Sequence, residues 1–429
     1  MTEVDATREI LEIELTPEGD GSTLRFVSNG SAMAVANLIG RGLGYISIVL
    51  MARRLAVPYM GAYALLYTTS ILVELVANLG LDKLLMREIA GSTAAVGEGY
   101  FWSALPIRFA MATVSWAAAW GLLMTFFRQE LPVSPATAGI FLAMIFPVVA
   151  TRNCEAFLTA QEKLIPIAFS QFVERVLMFA AAMLLVTGKV SFGGMMSVAP
   201  LAALVRMSLI AVSTRREWIS NGVPIHPNLR KLMREGTELF LIEVLALVYF
   251  RSDVFVMAKM RGLSDTGIYQ VAYKIFDVCL SLFAGFLQAA FPGMARNNTK
   301  ERLRRHLLIG PLLLSVPAIG IILLRHPILD TFHKQYASGS TALVWLMLTV
   351  PLVYMNSTLA NATIAAKRVH LLGLLALLLV IMNVGLDIAL IPRWGINAAA
   401  FVTFFCELFS TVALAPLLLR AMPTVRNEA

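Results

Sequence analysis

Residues 51–67 read MARRLAVPYMGAYALLY, and residues 257–273 read MAKMRGLSDTGIYQVAY. The two stretches match at an offset of 206 positions, which pairs Met51 with Met257, Ala52 with Ala258, Arg53 with Lys259, Gly61 with Gly267, Tyr63 with Tyr269 and Tyr67 with Tyr273. A fainter match at an offset of 204 pairs Pro147 with Pro351, Thr159 with Thr363 and Lys163 with Lys367. Self-similarity at a fixed offset indicates that the chain is a duplicated unit.

Composition places this duplicated chain in the membrane class. Of 429 residues, 58% are hydrophobic and 14% are charged, and the mean hydropathy is +0.74, outside the range of soluble globular domains. The three cysteines lie in separate apolar runs, so the sequence predicts neither a disulfide framework nor a zinc site. No cofactor and no nucleic-acid partner are expected.

The apolar runs predict twelve transmembrane helices, because about 20 residues are needed to cross the hydrocarbon core. The predicted spans are 31–52, 60–80, 100–127, 135–159, 164–187, 193–214, 238–260, 267–292, 306–328, 341–366, 369–391 and 396–420. Residues 1–30 form an acidic tail, residues 215–237 a basic linker and residues 421–429 a second tail. The predicted fold is therefore an all-α integral membrane protein with two six-helix lobes, 31–214 and 238–420.

Each quoted stretch runs from the outer end of an odd-numbered span into the next span, six spans apart. Because six is even, both copies enter the membrane with the same polarity, which gives a parallel repeat about an axis along the membrane normal. Two such lobes enclose a cleft that opens alternately to each side when one lobe rocks against the other. This architecture predicts a transporter and not an enzyme.

The distribution of Lys and Arg predicts the orientation. With the amino terminus inside, 19 of the 35 basic residues lie in cytoplasmic segments, nine in outer segments and seven within spans. Cytoplasmic loops are the ones enriched in basic residues, so both termini are expected to be cytoplasmic.

The seven basic residues within spans are the candidate binding groups. A basic side chain at the bilayer centre costs about 2.5 to 3.5 kcal/mol on insertion scales, so these residues must pair or face a wet cavity. Arg152 and Lys274 each have an acid three residues later, which allows pairing within the same helix. Arg41, Arg108 and Arg206 have no acid within four residues, and Arg175 has only its neighbour Glu174.

Unpaired arginines in a cavity favour an anionic substrate, since guanidinium binds phosphate in a bidentate manner. The predicted substrate-binding residues are Arg41, Arg108, Arg152, Arg175, Arg206 and Arg251. An alternative left open is that these side chains bond backbone carbonyls or extend to the inner headgroups.

Two stretches carry a resemblance to a known family. Residues 61–90, GAYALLYTTSILVELVANLGLDKLLMREIA, follow the basic turn Arg53-Arg54 and resemble the amino-terminal signature of Wzx-type polysaccharide and O-antigen flippases of the multidrug/oligosaccharidyl-lipid/polysaccharide exporter (MOP) superfamily. Residues 383–408, NVGLDIALIPRWGINAAAFVTFFCEL, resemble the motif of the eleventh and twelfth spans in the same family. The resemblance implies a MOP/MATE-like fold.

The resemblance also implies a substrate and partners. It implies movement of an undecaprenyl-pyrophosphate-linked oligosaccharide across the bacterial inner membrane, for exopolysaccharide or O-antigen synthesis, alongside a polysaccharide polymerase and its chain-length machinery. Membrane lipid is the other expected partner.

In some relatives a sodium ion binds between an acid of span seven, an Asn-x-x-x-Asp pair of span eleven, and a hydroxyl and a backbone carbonyl of span twelve. The resemblance implies a corresponding site here, for Na⁺ or H⁺ as coupling ion. The residues carried over are Glu243, Asn383, Asp387, Ala399 and Thr403. Structural hydrogen bonding between spans is the alternative reading of these residues.

Two other functions compete with the flippase. A multidrug or cation antiporter of the same superfamily is expected to have a neutral or acidic cavity, which the unpaired arginines disfavour. A membrane glycosyltransferase or polysaccharide ligase commonly places acids or a large domain outside, whereas the first outer turn, ARRLAVPYM, contains no acid. The sequence also lacks the Walker A, H-E-x-x-H and G-x-S-x-G signatures.

Overall fold

The computed structural model describes residues 38–215, 229–296, 300–365 and 369–421, and these residues are helical with short connections. The predicted acidic tail, residues 216–228 of the predicted linker and residues 422–429 lie outside the described residues. The long helices, numbered to match the predicted spans, are α1 (38–54), α2 (Val57–Asn78), α3 (Ala94–Phe126), α4 (Pro135–Leu142 and Ile145–Ala160), α5 (Ile165–Val186), α6 (Phe192–Arg215), α7 (Leu229–Met260), α8 (Leu263–Arg296), α9 (Lys300–Leu323), α10 (Ser340–Ala365), α11 (Val369–Trp394) and α12 (Ile396–Ala421).

Nine of the helices in the described part are long and apolar enough to cross a membrane. They are α2 to α6 and α9 to α12. The all-α, multi-pass fold predicted from the sequence is therefore confirmed, while the count of twelve spans stays a prediction for α1, α7 and α8. Acidic and basic side chains within α7 and α8 lower the hydropathy of these two helices.

Three short elements lie between the long helices. The helix Leu81–Ala90 follows α2, the helix Arg325–Asp330 follows α9, and a 3₁₀ turn at Lys334–Gly339 precedes α10. Leu79 and Gly80 adopt left-handed conformations at the end of α2, which reverses the chain and directs Leu81–Ala90 away from it. We call the face that carries this short helix the inner face and the face that carries the α1–α2 turn the outer face, following the predicted orientation.

The duplicated stretches pack against each other. A β-carbon on Gly61 would lie 1.9 Å from the carbonyl oxygen of Leu263, and one on Gly267 would lie 2.4 Å from the carbonyl oxygen of Val57. Val57 and Leu263 are themselves separated by the repeat offset of 206. The glycine of each stretch therefore packs against the equivalent carbonyl of the other stretch, as expected at a two-fold axis.

Two basic side chains repeat this symmetry at the outer face. The Nε of Arg53 in α1 donates to the carbonyl oxygen of Thr331, beyond α9. The Nζ of Lys259 in α7 donates to the carbonyl oxygen of Phe126 at the end of α3, at 2.7 Å. Arg53 and Lys259 are also repeat partners, so each lobe bonds the other near the outer end of its third helix: at the end of α3 in lobe 1, and at the end of the short helix Arg325–Asp330 after α9 in lobe 2. We call these two bonds and the two glycine contacts the outer closure.

Replacing Gly61 with Val is expected to open the outer closure, since a side chain cannot occupy the space that the Leu263 carbonyl fills. Overpacking costs about 1 to 3 kcal/mol, so the population open to the outside should rise about fivefold or more. The measurement is labelling of an introduced Tyr63→Cys by a membrane-impermeant maleimide added outside. Gly42→Val, at a helical glycine with open space around it, is the matched control. Equal labelling in Gly61→Val and in the parent would show that the contact does not seal this face.

Candidate functional site

Three of the predicted binding arginines lie in an ion-pair network that joins the helices of lobe 1. The Nη2 of Arg108 lies 2.8 Å from Asp82, and Arg108 is fully buried. The Nη2 of Arg152 lies 2.5 Å from Glu74, and Arg206 pairs with Glu155 and, at 2.7 Å, with Glu174. We call these seven residues the lobe-1 network.

The lobe-1 network corrects the expectation that Arg108 and Arg206 are unpaired and that Arg152 pairs mainly within its own helix, while the role of all three in substrate binding stays a prediction. Their acids come from other helices, at sequence separations of 26 residues for Arg108, 78 for Arg152, and 51 and 32 for Arg206. Three basic and four acidic side chains leave the network with a formal charge of −1. These arginines are therefore neutralised, and the main partner of Arg152 is Glu74 instead of the predicted Glu155, whose Oε2 is 4.0 Å away.

The remaining basic residues of the spans meet where the lobes face each other. The Nη1 of Arg41 donates to the carbonyl oxygen of Ser281 in α8 at 3.0 Å. The guanidinium of Arg251 lies 5.0 Å from the ring centroid of Tyr273. Arg251 and Lys274 share one acid, Asp277, with both contacts at 3.7 Å.

Arg175 of α5 extends toward this group. Its side chain crosses Gly40 of α1, where the Cγ would lie 3.2 Å from an added β-carbon, and it is close enough to Lys274 to interact electrostatically. Among the described residues Arg175 forms no ion pair. Arg251 also interacts electrostatically with Asp253 of its own helix. Arg41, Arg175, Arg251 and Lys274, taken with Asp277, carry a formal charge of +3. We call these five residues the interface cluster.

A cavity of about 300 Å³ adjoins the interface cluster on the lobe-1 side. Its polar lining is formed by Tyr63, Tyr67, Glu74, Arg152, Glu174, Arg175 and Arg206. The rings of Tyr63 and Tyr67 are stacked, with centroids 5.8 Å apart, and Tyr67 interacts electrostatically with Arg251 across the lobe boundary. The volume lies at the lower end of the range for ligand pockets. The cavity therefore has room for a small charged group next to the unpaired Arg175.

The predicted cation site lies inside lobe 2. Asp387 is fully buried and neither carboxylate oxygen has a hydrogen-bond partner among the described residues. Asn383 accepts a hydrogen bond from Ser252 of α7 at 3.1 Å, and its side-chain amide lies close to the thiol of Cys406 in α12. Thr403 donates to the carbonyl oxygen of Ala399 at 3.0 Å. The structure thus places Asn383, Asp387, Ala399 and Thr403 in the buried packing of α11 and α12.

Glu243 does not belong to this group, and its assignment is corrected. Its carboxylate lies 3.0 Å from Lys83 of the inner-face helix Leu81–Ala90. The α7 acid beside Asp387 is Asp253, which interacts with it electrostatically. Asp253 lies seven residues from the end of α7 at Met260, and Asp387 lies seven from the end of α11 at Trp394. Glu243 is ten residues, or about 15 Å, further along α7.

Asp253 is itself held by two donors. The hydroxyl of Tyr269 lies 2.5 Å from one carboxylate oxygen, and the backbone N–H of Val254 lies 2.8 Å from the other. The described residues contain no ion pair to Asp253 or Asp387, and no group of three or more His, Cys, Asp and Glu side chains that could hold a metal. Counting residues from the outer helix ends would have identified Asp253 from the sequence.

The two-lobe, multi-pass fold with a charged site between the lobes defines a membrane transporter. Residues 26–298 match the model of the "Polysaccharide biosynthesis protein" family, so the chain belongs to that family. It is a flippase of the MOP superfamily and not an enzyme.

Individual relatives agree with this assignment. The "Probable low-salt glycan biosynthesis flippase Agl15" of Haloferax volcanii is 20% identical over 88% of this chain and 80% of its own length. Among solved structures, the "Lipid II flippase MurJ, inward closed conformation" has a TM-score of 0.73 at 14% identity over 90% of this chain and 87% of its own. The "Inward-facing conformation of a multidrug resistance MATE family transporter of the MOP superfamily" has a TM-score of 0.72 at 12% identity over 91% and 96%. The predicted MOP/MATE-like fold is confirmed.

Proposed function

We propose that this flippase carries an oligosaccharide linked to undecaprenyl pyrophosphate from the cytoplasmic to the outer leaflet of the bacterial inner membrane by alternating access. The observation that carries the proposal is the interface cluster, which contains four basic side chains and one acid, Asp277, ion-paired with Arg251 and Lys274. Such an excess of positive charge inside a membrane is costly unless an anion offsets it, and a diphosphate supplies that charge at the lobe boundary.

The binding residues proposed for the diphosphate are Arg41, Arg175 and Arg251, with Lys274 added by the structure. Arginine forms two parallel hydrogen bonds to a phosphate, and Lys supplies a further point charge. Tyr63 and Tyr67 provide hydroxyl groups in the adjoining cavity. Since the outer closure is formed in this conformation, the headgroup would enter from the inner face, where the lipid-linked substrate is made.

The flippase proposal is tested with purified protein in liposomes. The probe is a fluorescent polyprenyl-pyrophosphate oligosaccharide, and its controls are the same glycan on an uncharged polyprenol and a cationic dye. We expect the protein to accelerate translocation of the pyrophosphate lipid alone. Accumulation of the dye without movement of the glycolipid would instead support the multidrug antiporter, which the charge of the interface cluster disfavours.

We further propose that a cation, Na⁺ or H⁺, drives the cycle by binding at Asp387. Asn383, Asp387, Ala399 and Thr403 would hold it together with Asp253 in place of the expected Glu243. Neither carboxylate forms an ion pair among the described residues, and buried carboxylates are costly when ionised. The oxygens of Asp387 accept no hydrogen bond there and offer the lone pairs that a cation needs.

Replacing Asp387 with Asn is expected to abolish the acceleration of transport by an ion gradient, because the amide keeps the shape of the carboxylate and loses its charge. The measurement compares initial rates under a sodium gradient, under a proton gradient and under neither. Glu243→Gln is the matched control, since Glu243 is an α7 acid outside the site. Gradient dependence that survives in Asp387→Asn would contradict the coupling proposal.

The remaining expectations also stay proposals. Both termini are placed in the cytoplasm, and the glycan is assigned to exopolysaccharide or O-antigen synthesis together with a polymerase and chain-length machinery. The excess of basic residues in the segments of the predicted cytoplasmic face supports this orientation.

A further inference from the structure

Lobe 2 contains a third buried acid that the proposed coupling site does not use. Glu407 of α12 is 6% exposed, and its Oε1 accepts a hydrogen bond from the hydroxyl of Tyr249 in α7 at 2.8 Å. Its Oε2 accepts one from the Nδ2 of Asn356 in α10 at 2.6 Å. Asn356 is held in turn by Thr411, whose hydroxyl donates to its Oδ1 at 2.9 Å.

The surroundings of Glu407 supply no positive charge. The titratable groups that face it from the packed helices are Tyr249 of α7 and Tyr273 of α8, with Cys406 of its own helix. From α10 it meets the amide of Asn356, and α11 contributes apolar side chains. Among the described residues Glu407 forms no ion pair, in contrast to the four acids of the lobe-1 network.

A cavity of about 320 Å³ leads to Glu407 between α7, α10, α11 and α12. Its α11 lining begins at Leu372, close to the inner end of that helix at Val369, and reaches Val380. Its α7 lining reaches Tyr249, which precedes Asp253 by four residues or about 6 Å. Glu407 therefore lies between the inner face and the Asp253/Asp387 pair.

The ligands of Glu407 suit a proton better than a metal ion. In the part of the chain that the structure describes, no second carboxylate faces Glu407, whereas Asp253 and Asp387 lie beside each other, so a metal ion would find a single charged ligand here. A proton requires only that the Tyr249 hydroxyl rotate, because a hydroxyl can donate to a carboxylate and accept from a carboxylic acid.

We infer that Glu407 is a second cation site of lobe 2, at which a proton from water in this cavity binds the carboxylate. One O–H bond breaks in hydronium and one forms on Glu407, with no change in oxidation state. Tyr249 and Asn356 belong to two different helices, so protonation weakens the bonds that tie α7 and α10 to α12. The role in a transport cycle rests on the proposed function, whereas the proton binding itself does not.

The test counts protons bound by purified protein. We expect the wild type to take up one more proton per chain than Glu407→Gln between about pH 8 and about pH 6, above the range in which ordinary carboxylates titrate, and infrared difference spectra in that range to show a protonated carboxyl band that this variant lacks. Glu243→Gln is the matched control, because Glu243 is an α7 acid in an ion pair with Lys83 outside this cavity, and Asp387→Asn separates the other carboxyl group. Thermal unfolding checks that the glutamine variant is folded.

Two results would overturn the inference. The first is an equal proton count in the wild type and a folded Glu407→Gln, and the second is a carboxyl band that Asp387→Asn removes entirely. Failure of the flippase proposal would look different, since the glycolipid would not move while the proton count still differed by one.

Discussion

Replacing Arg175 with Ala is expected to reduce glycolipid transport at limiting substrate by about tenfold to a hundredfold without destabilising the protein. A hydrogen bond to a charged group contributes about 1.5 to 3 kcal/mol, and each 1.4 kcal/mol is about a factor of ten. Arg175 forms no ion pair among the described residues, so its removal leaves no carboxylate unpaired. The measurement is the initial rate in liposomes at several substrate concentrations.

Two further variants make this result specific. Arg175→Lys should lie between Ala and the wild type, because it keeps the charge and loses the planar fork. Arg393→Ala removes an exposed arginine at the outer end of α11 and should leave transport unchanged. A wild-type rate in a normally expressed Arg175→Ala would rule out Arg175 as a headgroup ligand.

Replacing Arg108 with Ala is expected to have the opposite profile, a large loss of stability. Breaking a buried pair by removing one partner costs about 3 to 5 kcal/mol, because the other charge stays buried without compensation. Here the acid that loses its partner is Asp82. It also lies 3.9 Å from Arg152, so its loss of Arg108 also changes the charge balance around Arg152 in the lobe-1 network. The measurement is unfolding of the purified protein by heat or denaturant.

The double variant Arg108→Met with Asp82→Asn is the informative companion. It removes both charges, so it should recover part of the stability that Arg108→Ala loses. Arg87→Ala, at a side chain that is 61% exposed in its pair with Glu235, should cost only about 0 to 1 kcal/mol. If Arg108→Ala also lowered the free energy of unfolding by only about 0 to 1 kcal/mol, the lobe-1 network would not stabilise the fold.

Local patterns in the sequence were sufficient for the architecture. Apolar runs located most helix ends to within about four residues, although α3, α7 and α9 begin six to nine residues earlier than predicted. The repeat at positions 51–67 and 257–273 predicted a duplicated unit, but not that the two stretches pack against each other at the outer face. Both features depend on neighbours along the chain or on direct self-comparison, which a single sequence contains.

Pairing of charges across helices could not be predicted in the same way. Arg108 and Arg206 appeared unpaired because the search extended four residues along their own helices, while their acids lie on other helices. Which side chains meet depends on helix rotation and packing, and a sequence alone fixes neither. Arg175 was selected correctly as unpaired within the described residues, although its location beside Lys274 of the other lobe was not foreseen.

The reciprocal contact between the two glycine turns has a consequence for the history of the chain. Val57 meets Gly267 as Leu263 meets Gly61, which is the pattern that two identical subunits make when they associate face to face. A single six-helix polypeptide could form the same contact with a second copy of itself. After fusion of two such subunits the halves could diverge. Lobe 2 has kept Asp253, Asp387 and Glu407 without ion pairs among the described residues, whereas lobe 1 pairs the acids of the lobe-1 network with arginines.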